Sequence, residues 1–423
     1  MLACDPSRVA GRKWANERAA GATADEVFEI TAGRLGPIKP VEIAVRPLTV
    51  LVGRQGTGKS LVAQLLYFFR GLPGLVRLDV ASRRAEENAV TPEAIVRRII
   101  DGLRSSHRSF ARLTVPSVAL RWGGSLAAGG VHGKRCDFKL NIQSKTSKVN
   151  PSKSLVDCVQ KICRARTEPP LSAVFVPTER LLYAMQLAPT SIHVMSAPRL
   201  LDTFASVMDV AGRIQSDWED GIPDTAQGRW VRDHLLEALA GEARLRGSSW
   251  RWIFRDGGKA RSIDLDMASS GQRANAPLSL LPQALFSLRA RGDLTSAFTL
   301  YVEEPEIHLH PAAERAVVEV LAFLVNNGFR VVLTTHSLTV LYTINNLLLA
   351  SDLPRTSMAK EIAPDIRLRA DDVAAYHLLP DGEVATVIGD SGTIDERALG
   401  RVADDLAMEM NKIFALKAAA KRT

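Results

Sequence analysis

The sequence predicts an α/β protein: a mixed, mainly parallel sheet with crossover helices, an antiparallel β subdomain and an inserted helical region. Three observations carry this reading. From Phe298 to Leu349, short apolar runs alternate with stretches of helical length and spacing. Between Leu48 and Phe69 an apolar run passes through a glycine-rich loop into a helix-like stretch. Phe28 and Ile30, then Val41, Ile43 and Val45, alternate with polar neighbours on either side of Gly36-Pro37, as two half-buried strands would.

Residues 1–24 are basic, Ala-rich and aperiodic, and read as a loosely held arm. Residues 25–184 form a first lobe, with a central strand at Leu48–Val52, a helix at Ser60–Phe69 and another at 92–104. In the same lobe, hairpins over 115–142 are broken by Gly123-Gly124 and Gly129-Gly130, and a strand follows at Leu171–Val176. Residues 185–250 read as a helical insertion, with helical spacing over 199–246 through Leu200, Phe204, Val207 and Met208, then Trp230, Leu235, Leu236 and Leu239. The second lobe, 251–423, starts in extended stretches at Trp250–Phe254 and Ile263–Leu265. Strand, helix, strand, helix follow at Phe298–Val302, Ala312–Asn326, Arg330–Thr334 and Leu338–Leu349. A strand pair at Val373–Leu379 and Val384–Ile388 precedes a final helix from about Asp395.

Composition narrows the function. The 423 residues are 46% hydrophobic and 24% charged, enough to bury a sizeable core. No run approaches the ~18 apolar residues of a membrane span, and the opening MLACDPSRVAGRK lacks a signal peptide's apolar run. Four cysteines, with Cys158 and Cys163 lacking a second ligand pair, read as buried thiols in a reducing cytoplasm. The net charge of +8 is concentrated: Lys134 to Arg166 holds nine Lys or Arg against Asp137 and Asp157. That segment is either a solvated loop or a patch for nucleic acid or another polyanion, in which Lys145, Lys148 and Lys153 would take part. With Phe138 its one aromatic, it is a poor stacking platform for single strands.

The motifs carry more specific chemistry. Gly53-Arg54-Gln55-Gly56-Thr57-Gly58-Lys59-Ser60 satisfies the phosphate-loop (Walker A) pattern in full, between a predicted strand and a predicted helix. Its glycines let backbone N–H groups turn toward phosphate oxygens at a helix N-terminus, Lys59 reaches the β- and γ-phosphates of ATP, and Ser60 holds Mg²⁺. The apolar run Thr299–Val302 ends in Glu303-Glu304: the first acid anchors Mg²⁺, and the second serves as general base on the attacking water. Thirty-two residues beyond Glu304, Val331–Thr335 ends in His336, placed to bond the γ-phosphate or that water. Ser269-Ser270-Gly271-Gln272 precedes a further predicted helix.

Together GRQGTGKS, SSGQ, LYVEEPEIHLHP and LTTHS, in this order, resemble the ABC-type ATPases of the SMC, RecF and OLD group, and the phrase Glu303 to Pro311 resembles the RecF/OLD-like branch. The resemblance covers roughly residues 25–70, 170–183 and 262–390. It implies a P-loop head domain that dimerises around ATP, with Ser270 and Gly271 touching the γ-phosphate held by the other subunit and His308–Pro311 at the seam. Pro177-Thr178-Glu179-Arg180 resembles a phrase of the small members of this branch, which puts Arg180 near the nucleotide-side surface. Glu303 stands where Asp is commoner, and Gln143 is a candidate for the Q-loop glutamine. The 87 residues after His336 lack the marks of the nuclease domain that often follows in OLD-type proteins. By analogy, the chain is expected to be a switch ATPase controlling a separately encoded nuclease or toxin in anti-phage defence. The alternative is a DNA repair or chromosome-maintenance ATPase. A transporter subunit would need a membrane partner and the LSGGQ signature.

Overall fold

The computed structural model describes residues 26–81, 91–106, 117–126, 135–143, 149–165, 170–180, 199–217, 225–247, 249–356, 361–389, 392–395, 399 and 408–413. Its centre is a six-stranded sheet built on β3 (Leu48–Val52), with β7 (Leu171–Val176), β11 (Leu294–Glu303), β12 (Arg330–Thr335), β13 (Val373–Leu378) and β14 (Val384–Thr386). The order is β14-β13-β3-β12-β11-β7, parallel throughout except for β14 on the edge. Successive side chains of a strand point to opposite faces, so each strand feeds two cores. Val50, Val52, Val174 and Val176 enter one core; Leu51, Ala173 and Phe175 enter the other.

The second of these cores lies beneath a five-stranded antiparallel sheet. It comprises β1 (Glu26–Ala32), β2 (Val41–Val45), β4 (Ser117–Ser125), β5 (Arg135–Gln143) and β6 (Val149–Pro151), in the order β2-β1-β4-β5-β6. Helix α1 (Lys59–Arg70) runs through this core with Leu61 to Arg70 all buried. Tyr376 ties the two sheets together: its hydroxyl accepts from Ala44 N at 2.9 Å and donates to Ala44 O at 3.0 Å. Helices α2 (Leu72–Ala81), α3 (Pro92–Ser106) and α4 (Lys153–Arg164) close the flank.

The other core is helical. Helices α5 (Arg199–Asp217), α6 (Ala226–Ala238), α7 (Ser270–Arg291), α8 (Pro311–Asn326) and α9 (Leu338–Leu349) cover the parallel sheet. Trp230 of α6 stacks on Phe323 of α8 at 4.1 Å between ring centroids, which docks the inserted helices on the second lobe. A small antiparallel sheet, β8 (Glu242–Arg246), β9 (Ser249–Asp256) and β10 (Lys259–Asp264), leads into α7.

Several expectations need correction. Gly123-Gly124 does not break a hairpin; both lie inside β4, where a Cβ on Gly124 would stand 2.5 Å from the Trp122 ring, so Gly124 makes room for that indole. Helical spacing does not extend to 246, because Ala240 (φ 53°) and Gly241 (φ 152°) end the chain's helical path and β8 follows. The basic segment is not a loop in its described part: it forms β5, β6 and α4, which buries Leu155, Val159 and Ile162. Lys153 is exposed at the start of α4, whereas Lys145 and Lys148 lie outside the described residues. So do residues 1–24, Gly129-Gly130 and most of the tail after Asp395, of which 408–413 is helical.

Candidate nucleotide-binding and hydrolysis site

Register brings the motifs to one edge. Val52 pairs with Thr335 and with His377, Thr334 with Glu303, and Val302 with Val176. The loops that follow these residues therefore emerge side by side at the carboxyl ends of parallel strands, where α/β sheets bind ligands. Because β12 lies between β3 and β11, His336 stands between the phosphate loop and the acid pair.

The loop itself is built by three glycines at positive φ, Gly53 (151°), Gly56 (81°) and Gly58 (96°). Its two flanks are cradled by backbone and apolar contacts. A Cβ on Gly53 would meet Leu378 O at 2.6 Å, and one on Gly58 would meet Ile38 Cδ1 at 2.8 Å. Gly56 faces open space, and Arg54 and Gln55 are exposed at the tip. Thr57 is buried and bonds back to Arg54 O at 2.9 Å. Lys59, 5% exposed, donates to Gly53 O at 2.7 Å and Arg54 O at 3.0 Å. Burial pushes its pKa down, against the pull of Glu304, Glu306 and Glu303.

Glu303 is 1% exposed, and its Oε2 accepts from Thr178 N and Thr178 Oγ1, both at 3.1 Å. Burial raises its pKa to about 7, although Thr178 and the Ser60 hydroxyl favour the carboxylate. Among the described residues its Oε1 is buried with no hydrogen-bond partner. Once deprotonated, such an oxygen, on a carboxylate that the Ser60 hydroxyl also bonds, suits a hard cation such as Mg²⁺. Glu304 follows in the left-handed region at φ 43°, its N–H donating to Thr334 O at 3.0 Å and its carbonyl accepting from Arg180 Nη2 at 2.9 Å. The turn aims its carboxylate at His336, whose Nδ1 lies 3.4 Å from Glu304 Oε1.

Glu306 joins this set. Its Oε1 accepts from Thr335 Oγ1 at 2.7 Å and His336 N at 2.9 Å and stands 3.4 Å from His336 Nδ1; burial raises its pKa. The sequence reading assigned it no separate part, nor Thr178. A hint was available: Thr178 comes two residues after the apolar run Leu171–Val176, at the same strand ends as Glu303. Arg180 lies on the nucleotide side of the sheet, where the resemblance puts it, against the carbonyls of Glu303 and Glu304, but it is fully buried, with its pKa lowered to about 10 by desolvation.

The SSGQ stretch starts α7. Ser269 is the N-cap, accepting from Gln272 N at 3.2 Å, while the Gln272 side chain accepts from Ser269 N at 3.0 Å: a reciprocal capping box. Ser270 and Gly271 occupy the first turn, exposed and half-buried respectively. A Cβ on Gly271 would meet His308 O at 3.1 Å, so the SSGQ turn and the loop after Glu306 touch within one chain. His310 caps α8 through Nδ1, which accepts from Ala312 N at 3.3 Å. Gln143 ends β5 opposite Ser117, whose carbonyl lies 2.2 Å from where a Gly33 Cβ would stand, in the hairpin that also carries Ile38.

A parallel sheet with a phosphate loop, an acid pair and a histidine at its carboxyl edge defines a P-loop ATPase fold. Residues 202–341, about a third of the chain, match the AAA ATPase domain family. Among solved structures, an SMC head bound to the C-terminal winged-helix domain of ScpA is similar at 13% identity and TM-score 0.41, over 85% of this chain and 96% of that one. The SMC head domain from Thermotoga maritima is similar at 14% identity and TM-score 0.38, over 86% and 97%. An SMC head with an extended coiled coil, bound to the C-terminal domain of ScpA from Pyrococcus furiosus, is similar at 11% identity and TM-score 0.41, over 90% and 99%. A comparison with curated proteins found no match. No helix among the described residues is long and apolar enough to cross a membrane.

Proposed function

We propose that this chain is a Mg²⁺-dependent ATPase whose sites are completed between two copies, and that it works as a switch over a separately encoded effector. The observation that carries the hydrolytic part is the convergence of Lys59, Glu303, Glu304 and His336 at one sheet edge. Lys59 would exchange the Gly53 and Arg54 carbonyls for phosphate oxygens. Ser60 and Glu303 would hold Mg²⁺, which supplies charge neutralisation at the phosphates when bound. Glu304 would accept the proton of the attacking water, and His336 would orient that water or the γ-phosphate. Ser270 and Gly271, on an open helix N-terminus, are available to phosphate oxygens of a second copy. The effector reading, a nuclease or toxin in anti-phage defence, rests on the motif resemblance.

The test combines variants. Lys59→Ala should abolish ATP binding, and Glu304→Gln should bind ATP but turn over ~10²–10⁴-fold more slowly. Mixing Lys59→Ala with Ser270→Arg should restore part of the activity, because one composite site in the mixed dimer is intact. Absence of rescue under exchange conditions would count against shared sites. Purifying the chain with and without its gene neighbour's product, and assaying DNA and RNA cleavage, tests the effector; cleavage by the chain alone that persists in Lys59→Ala would count against it. A second reading, action on nucleic acid, is favoured by the exposed cations Arg135, Lys139, Lys153, Lys161 and Arg164 on β5 and α4.

A further inference from the structure

Arg180 is an unusual investment for a protein interior. Its side chain is wholly buried, yet among the described residues no carboxylate accepts a hydrogen bond from it, and each acceptor there is a main-chain carbonyl. Nε donates to Ala274 O at 2.9 Å, Nη1 to Pro177 O at 3.2 Å and Glu303 O at 2.8 Å, and Nη2 to Glu304 O at 2.9 Å. Three separate segments thus meet on one planar head: the end of β7, the acid pair after β11, and the first turns of α7. A buried cation is costly unless its donors are well matched, and the rigid guanidinium fork suits several fixed acceptors in one plane.

Two further facts show what this junction controls. Glu304 adopts φ 43°, a left-handed conformation that is unfavourable for a residue with a Cβ and persists where its surroundings impose it. Its N–H is fixed by Thr334 O and its carbonyl by Arg180, so the two flanking peptide units are clamped and the side chain is aimed at His336. Meanwhile Ala274 lies one turn beyond Ser270 and Gly271, and Asn275 Nδ2 donates to Gly271 O at 2.8 Å, which ties the first two turns of α7 together.

We propose that Arg180 is a positioning residue for hydrolysis: it holds Glu304 in its strained, productive orientation and links that orientation to the N-terminus of α7. This rests on the ATPase reading above. On it, anything that shifts the start of α7, such as engagement with a second copy's nucleotide, is passed through Ala274 and one guanidinium to the carbonyls on either side of Glu304. Wholly buried and bonded to main-chain carbonyls, Arg180 acts through Glu304.

The experiment uses the full chain with Arg180→Lys, which keeps the charge but loses the fork, and Arg180→Gln, whose neutral amide still donates two bonds and leaves no buried charge. ATP affinity, turnover per nucleotide-binding site and thermal unfolding are measured for each, alone and combined with Glu304→Gln. The expected result is ATP affinity within about threefold of the parent, turnover at least tenfold lower, and no further loss when Arg180→Lys is added to Glu304→Gln. That non-additivity is what action through one residue requires. Full turnover in Arg180→Lys, losses that multiply in the double variant, or loss of ATP binding along with turnover in both variants would each overturn the proposal, the last by reducing Arg180 to architecture. Should Glu304→Gln itself retain turnover, the base assignment fails and this inference falls with it. A loss in Glu304→Gln without one in Arg180→Lys overturns this inference alone.

Discussion

Glu303 shows how a single side chain can set the pH behaviour of the molecule. Its pKa is raised to about 7 by burial, against 4.5 for the group unperturbed. Between these values the folded chain keeps a proton that the unfolded chain has released, so this group's contribution to stability falls as pH rises through the window. At pH 8 the folded chain must carry a buried charge at a cost of about 3 kcal/mol, with 1.36 kcal/mol per pKa unit. Glu303→Gln should therefore raise the unfolding temperature of the nucleotide-free protein at pH 8 and have much less effect at pH 5, while removing stabilisation by Mg²⁺; equal shifts at both pH values would refute the assignment. The acid pair and the loop lysine were legible because strand-end acids and the GxxxxGKS pattern are local in sequence. Thr178, Arg180 and Glu306 were not, since their parts depend on which strands are neighbours: Thr178 reaches Glu303 across 125 residues.

At the scale of elements, the start of α7 combines two demands. Ser269 and Gln272 spend their side chains on each other's backbone, satisfying two of the donors that a helix start leaves open. Ser269→Ala should cost ~1 kcal/mol of stability, read by denaturant unfolding, as N-cap losses do. Gln272→Ala should cost less and leave ATP affinity of the isolated chain unchanged, because its amide is engaged within its own helix. The strands of the parallel sheet were legible as short apolar runs bounded by polar turns, and α8 and α9 by their spacing. Helix α4 was hidden because its three buried residues, Leu155, Val159 and Ile162, are set among so many charged and polar neighbours that the charge run dominated the reading. The Gly123-Gly124 pair misled for the opposite reason, since a glycine that accommodates Trp122 is indistinguishable in sequence from one that makes a turn.

At the scale of the whole molecule, exposed cations on β5 and α4 form a flank whose use is testable by salt. If this flank binds nucleic acid, reversing Lys139, Lys153 and Lys161 to Glu should weaken binding to all sequences alike and flatten the dependence of affinity on salt; unchanged binding would leave these side chains merely solvated. A different consequence follows from the sheet order. Among the described residues, the phosphate-loop strand β3 pairs on one side with β12 and on the other with β13, and with nothing nearer in the chain. About 280 residues separate Val52 from Arg330. At ~5–20 residues per second, a ribosome needs roughly 15–55 s to supply even the first of these partners. Throughout that interval a newly made chain carries Leu-Thr-Val-Leu-Val with both edges unpaired, although all five residues are buried once the sheet has closed. The strand that leads into the nucleotide loop thus finds its sheet neighbours only once the chain has been made past residue 330, and until then its unpaired edges are the kind of surface that aggregates or is held by chaperones.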